Sequence, residues 1–173
     1  LVVANLETVF AGEKSGYAGY PSFNTPDSLT DALNELGVEV TTLANNHILD
    51  RGAFGARRTT EVLDKAGILW TGLGLDGEDG RPLLVERFGL RWALLSYSYG
   101  SNRVLTSSDV RLNTISESAI AKGLKKAQLL SPDLTVVCFH WGNEYQYAPS
   151  IHQKKAADSA FAEGADLVIG THP

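Results

Sequence analysis

The stretch "VEVTTLANNHILDRGAFG", from Val38 to Gly55, contains the features on which the fold prediction depends. Its first six residues are mostly apolar and β-branched, which predicts a buried strand. Its last residues lead into a helix predicted from about Ala53 to Ala66 and closed by Gly67. A polar tip, "ANNH", separates the two elements. A strand, a tip and a helix in this order are typical of α/β proteins.

The rest of the chain repeats this alternation. The short apolar runs "LVVA", "ILW", "LTVVCF" and "DLVIGT" predict further strands. Helix signals begin at Thr25, as N-cap before Pro26, and at Ser116 and Ser150. The run "LLVERFGLRWALLSYS" predicts a hairpin that turns near Gly89, so the sheets are expected to be mixed. Residues 99–114 show no periodicity. The sequence therefore predicts an α/β protein with a largely parallel, partly mixed sheet.

Length and composition limit the class of protein. The 173 residues, 43% hydrophobic and 20% charged, suit one globular domain, 1–173. The chain starts within a predicted strand and stops just after another, so we expect a domain truncated at both ends. A net charge of -5 argues against a nucleic-acid-binding protein, which is normally basic. No apolar run is long enough for a transmembrane segment, and the single Cys138 excludes an internal disulfide.

Polar side chains follow the predicted strands at their carboxyl ends. Glu7 follows the first strand, Asn46 and His47 follow the second, and His140 and His172 end two later ones. Ligands bind at this edge of open α/β sheets. Imidazole, amide and carboxylate groups suit Mn, Fe or Zn, and such an ion can lower the pKa of water to about 7 and polarise a phosphoryl oxygen. The pattern predicts a divalent metal site.

Each residue also has a structural interpretation. A histidine at a strand end, such as His140 or His172, is more often hydrogen-bonded than metal-bound. Asn45 is suited to an ordinary turn, Asp50 to the N-cap of the following helix, and Glu7 to the solvent-exposed surface. These interpretations must all hold at once to remove the metal site, so we prefer the metal hypothesis.

Several motifs resemble one known family. The segments "ANLET", "LANNHILDRGAFG", "LDKAGILWTGLG", "HWGNEYQYAPSIHQKKAA" and "GADLVIGTHP" are similar, in this order, to the CapA family of bacterial poly-γ-glutamate capsule synthesis proteins, a branch of the calcineurin-like metallophosphoesterases. The resemblance implies a four-layered α/β/β/α sandwich, a metallophosphoesterase-like fold in which two mixed sheets pack face to face between helices.

The resemblance also implies residue roles. Asn46, His140 and His172 correspond to metal ligands, and Glu7 stands where the wider superfamily has a bridging Asp. His47 corresponds to the group that protonates the leaving oxygen, with Asp50 orienting it.

The family pattern includes a Gly-Asp strand upstream and a second His after Pro173. Up to two ions are therefore expected in the full-length protein. For this chain, a single site formed by Asn46, His140 and His172 and an empty, inactive fragment are equally compatible with the pattern.

Two functions follow as hypotheses. The first is a metal-dependent, phosphoesterase-like hydrolase of capsule biosynthesis, with Asn45, Glu144 and Tyr145 as substrate contacts. The second is a non-catalytic component that binds or exports an anionic polymer, alone or with other capsule-synthesis proteins. Since the net charge is -5, the second function requires a local cationic or metal-bearing patch. The resemblance implies a location in the cell envelope or outside the cell.

Overall fold

The chain forms a mixed α/β structure. A computed structural model describes residues 1–104 and 109–172, and within them there are nine strands, four helices and one 3₁₀ turn, Glu13–Ser15. The strands are β1 (Val3–Asn5), β2 (Val40–Thr42), β3 (Leu69–Thr71), β4 (Leu73–Leu75), β5 (Leu83–Arg87), β6 (Leu90–Ser98), β7 (Val110–Leu112), β8 (Leu134–His140) and β9 (Leu167–Thr171). The helices are α1 (Leu29–Glu35), α2 (Gly52–Ala66), α3 (Glu117–Gln128) and α4 (Ile151–Ala162).

The described strands form three sheets. One is parallel, in the order β1-β2-β3, and one is a short antiparallel pair of β4 and β7. The third, β5-β6-β8-β9, pairs β5 with β6 antiparallel and the others parallel. The predicted mixed sheet is thus confirmed, as is the hairpin, whose turn residues Phe88 and Gly89 both have positive φ. The sequence did not predict β7, because three residues are too few to show a period; residues 105–108 of that stretch lie outside the described part.

Helix ends follow the sequence signals in three of the four helices. Gly67 ends α2 in the left-handed conformation. The Ser116 side chain caps α3 by accepting from the Ala119 amide. Ser150 and Gln153 form the predicted capping box at the start of α4.

The predicted start of α1 is wrong. The helix begins at Leu29, with Ser28 as its N-cap, rather than directly after Thr25. The Thr25 hydroxyl instead pairs with that of Thr8 at 2.6 Å, and Asp27 forms two hydrogen bonds with the Arg58 guanidinium. These tertiary contacts hold the segment before Leu29 outside the helix.

Two hydrophobic clusters support the two larger sheets. Leu43, Ile48 and Leu63 belong to the cluster around α2 and the parallel sheet, whereas Val137 and Phe139 of β8 pack with residues of α3 and α4. The Thr71 hydroxyl at the end of β3 donates to the carbonyl of Leu94 in β6, at 3.5 Å. This bond links the two larger sheets.

Candidate metal centre

Three potential metal ligands meet where β1, β8 and β9 end. Glu7, His140 and His172 each offer one ligand atom, and these atoms all lie within 4.8 Å of one another. Parallel pairing of β8 with β9 places His140 opposite Thr171, so that His172 follows beside it. One carboxylate oxygen and two imidazole nitrogens form a ligand set that suits a first-row divalent ion. The residues present therefore fit a metal.

His140 is the buried member of this cluster, with 1% of its surface exposed. Its Nε2 lies 2.9 Å from Asn46 Oδ1 and 3.6 Å from Glu7 Oε1, and its Nδ1 lies 3.1 Å from Thr171 Oγ1. Burial, with smaller effects of His172 and His47, lowers the pKa of His140 to about 4. His140 is therefore neutral near pH 7, and neutral imidazole is the form that binds metals.

Asn46 joins the tip after β2 to this cluster. Its Oδ1 faces His140, while its Nδ2 donates to Asn102 Oδ1 at 3.4 Å. The Asn46 carbonyl also accepts from the Asn102 amide at 2.9 Å. Asn46 thus places an amide oxygen beside His140, the buried member of the cluster.

His47 and Asp50 form a buried pair next to the cluster. Asp50 Oδ2 lies 2.8 Å from His47 Nδ1 and accepts from the Phe23 amide at 2.7 Å. The Phe23 ring packs edge-on against His47, with centroids 4.5 Å apart. Asp50 does not cap α2, whose N-cap is Arg51. Because Asp50 is hydrogen-bonded to Nδ1 of His47, the other ring nitrogen, Nε2, remains available to other groups.

Asn45 occupies a structural position in the same tip. It is fully buried, its Nδ2 donates to the Leu6 carbonyl at 2.8 Å, and its Oδ1 accepts from the His47 amide at 3.1 Å. Both ends of the amide are thus used within the chain, which favours the turn interpretation over substrate contact.

An open cleft of about 740 Å³ brings most of the predicted residues together. Six of them line it: Glu7, Asn46, His47, Glu144, Tyr145 and His172. Glu144 Oε1 lies 3.9 Å from His172 Nε2, and Tyr145 is 96% exposed. Asn45, Asp50 and His140 do not line the cleft and are buried. Among the residues that the structure describes, the lining contains no Lys or Arg.

Two further residues contact the site without having been predicted. The Tyr99 ring lies 5.1 Å from the His172 ring and 6.2 Å from that of His140, between centroids, and burial raises the Tyr99 pKa. Asn102 Nδ2 lies 3.5 Å from His47 Nε2. Tyr99 directly follows β6, so the rule that selected the other strand ends could have found it. Asn102 has no such signal, because it lies in a loop without periodicity.

This fold and site define a mixed α/β protein with a His- and carboxylate-rich cluster at its strand ends. The chain belongs to the family of bacterial capsule synthesis proteins PGA_cap, whose model matches residues 1–173.

Curated relatives agree with this assignment. The chain is 30% identical over 148 residues to "Capsule biosynthesis protein CapA" of Bacillus anthracis, covering 82% of the chain and 36% of that protein. It is 25% identical over 144 residues to "PGA biosynthesis protein CapA" of Bacillus subtilis, covering 82% and 38%. A "Probable polyglutamine synthesis accessory protein" of Mycobacterium tuberculosis is 29% identical over 167 residues, covering 84% and 41%. The chain thus spans about two-fifths of the length of these relatives.

Within the described residues, every helix is too short or too polar to cross a bilayer.

Proposed function

We propose that this chain carries the metal-dependent hydrolase site of a CapA-like protein of poly-γ-glutamate capsule biosynthesis, and that it cleaves a phosphoester or a related bond. The observation that carries the proposal is the convergence of Glu7, His140 and His172 within 4.8 Å. The adjacent His47–Asp50 pair, with its 2.8 Å hydrogen bond, supports it.

The metal residues in this proposal are Glu7, Asn46, His140 and His172. A bound divalent ion supplies Lewis-acid polarisation and a more acidic water. His140, neutral and held by Thr171 Oγ1 at its Nδ1, presents Nε2 to the cluster. Manganese, iron and zinc all match the ligand types.

The proton-transfer residue is His47. Asp50 accepts from its Nδ1 and keeps the ring fixed, so that Nε2 can deliver a proton to the leaving oxygen. The Phe23 ring packs against the imidazole and limits its rotation. Glu144 and Tyr145 line the cleft and contact the substrate. The chain thereby supplies a positioned acid beside the metal residues.

We also infer that the two larger sheets are the inner layers of a metallophosphoesterase-like sandwich. The hydrogen bond from Thr71 to Leu94 and the contact of Asn46 with His140 support this arrangement, since both join the two sheets.

An assay of the full-length protein tests the hydrolase. Activated aryl phosphate monoesters and diesters are supplied with Mn or Zn, and His47→Gln is compared with His152→Gln, which changes an exposed histidine of α4. We expect metal-dependent turnover that falls about 100-fold or more in His47→Gln and is unchanged in the control. Absence of turnover with every metal, or equal rates in both variants, would refute the proposal.

A second function, binding or export of an anionic polymer without hydrolysis, is favoured by the cleft mouth. Tyr20, Tyr145 and Tyr147 border it and are 85%, 96% and 107% exposed, and such a surface suits a chain that passes across the cleft. The relatives named for capsule and PGA biosynthesis also fit this role. Polymer binding that survives His47→Gln, without any turnover, would favour it.

A place in the cell envelope or outside the cell belongs to the same proposal. Fractionation of cells that produce the full-length protein tests it.

A further inference from the structure

Two arginines, Arg51 and Arg103, meet at one neutral hydroxyl beside the cleft. Arg51 Nη1 donates to Ser22 Oγ, and Arg103 Nη2 donates to the same oxygen at 3.3 Å. Arg51 Nη1 also donates to the Asp50 carbonyl at 3.2 Å. Because both guanidinium groups reach one oxygen, their like charges lie close together and repel each other.

Within the described residues, no carboxylate lies within salt-bridge distance of Arg51 or Arg103 to offset this repulsion. All the other arginines of the described chain have such a carboxylate: they are Arg57, Arg58, Arg81, Arg87, Arg91 and Arg111. A neutral hydroxyl satisfies hydrogen bonds but supplies no negative charge. The pair therefore has the charge and the free donors to bind an anion.

The position of the pair connects it to the candidate metal centre. Ser22 precedes Phe23, whose ring contacts His47, and Arg103 follows Asn102, whose side chain reaches Asn46 and His47. The arginines thus border the end of the cleft that Tyr20 and Phe23 line. Two glutamates, Glu7 and Glu144, line the cleft itself, and its described lining residues include no Lys or Arg.

We propose that Arg51, Arg103 and Ser22 form an oxyanion subsite that binds one carboxylate of a polyglutamate chain lying in the cleft. This inference rests on the proposed role in poly-γ-glutamate biosynthesis, and it names the residues that recognise the polymer. Planar guanidinium groups match the two oxygens of a carboxylate. The subsite supplies the local positive charge that a protein of net charge -5 needs to bind a polyanion.

Binding of two probes to the full-length protein tests the subsite. A γ-linked glutamate oligomer and inorganic phosphate are each titrated by calorimetry, in chelator, so that the metal residues add no cation. Arg51→Gln and Arg103→Gln are compared with Arg57→Gln, which makes the same change in charge at an arginine already paired with Asp76. Arg103 lies on the surface, so its variant is expected to fold even where Arg51→Gln does not.

We expect each subsite variant to weaken oligomer binding at least about ten-fold, and Arg57→Gln to change it less than about two-fold. Equal weakening in all three variants, or none in Arg103→Gln, overturns the subsite. Arginine-dependent binding of phosphate alone overturns the assignment to a carboxylate. Since no turnover is measured here, absence of hydrolase activity in the full-length protein would leave this binding result unaffected, and the two proposals can fail separately.

Discussion

Replacing Asp50 with Asn should preserve the fold of the site but remove most of its activity. Both hydrogen bonds to the Asp50 side chain end on one oxygen, Oδ2, which accepts from the Phe23 amide at 2.7 Å and from His47 Nδ1 at 2.8 Å. An Asn side chain can place its amide oxygen there and keep both bonds, but without the charge. Asp50→Ala removes this shared acceptor from a position that is 2% exposed.

The expected magnitudes differ for the two variants. Charged hydrogen bonds contribute about 1.5–3 kcal/mol and neutral ones about 0.5–1.5 kcal/mol, so Asp50→Asn should lower the free energy of unfolding by roughly 1–2 kcal/mol. Asp50→Ala leaves the Phe23 amide and His47 Nδ1 without their acceptor and should cost roughly 3–5 kcal/mol. Activity should fall about 100-fold or more in Asp50→Asn, because the neutral amide no longer supplies the negative charge that faces the His47 ring during proton transfer.

Urea unfolding in chelator and the aryl phosphate assay measure these two effects. The interpretation predicts a well-folded Asp50→Asn variant with little activity. It is wrong if Asp50→Asn is destabilised as much as Asp50→Ala, or if it turns over substrate like the unsubstituted protein.

The remaining predictions concern pH, metal and backbone. The pKa of His140 is about 4 in the folded protein and about 6.5 when unfolded, so the unfolded chain binds the proton first as pH falls. The metal-free protein should therefore lose stability as pH falls from about 6.5 to about 4. Free energies of unfolding measured with urea across this range should depend less steeply on pH in His140→Gln than in the unsubstituted protein. Zinc at 100 times its Kd should stabilise the protein by about 2.7 kcal/mol, seen as a raised Tm; His172→Asn should abolish the shift, and His152→Asn should keep it. Gly72→Ala should cost roughly 2–4 kcal/mol in urea unfolding, because Gly72 has a φ of 108° and a Cβ there would lie 2.6 Å from the Ala44 amide nitrogen; a neutral effect would contradict the close approach.

Local signals in the sequence predicted most of the strands and most helix ends. Gly67 and the Ser150–Gln153 pair act over one helical turn, so their effect can be read from neighbouring residues. The convergence of Glu7, His140 and His172 was also predictable, because parallel strands bring their carboxyl ends to one edge and a polar residue after each strand suffices to mark it.

Contacts that depend on packing between segments were beyond this reasoning. Residue spacing offered Asp50 as a helix cap, and only the family resemblance implied that it orients His47; the loop that places the Phe23 amide beside it comes from 27 residues away. The start of α1 was misplaced because Asp27 is bound by Arg58 of α2. Arg51 and Arg103 likewise come together from separate loops, and their spacing in the sequence does not predict that they lie close to each other.

The ligand residues are divided between two sheets, and this division has a mechanical consequence. Glu7 and Asn46 belong to the side of the parallel sheet, and His140 and His172 to the mixed one. A cation held by all four would join the two sheets and restrict the movement of one relative to the other. Binding of the ion should then slow amide hydrogen exchange in both β2 and β8, including at residues that do not contact the ion.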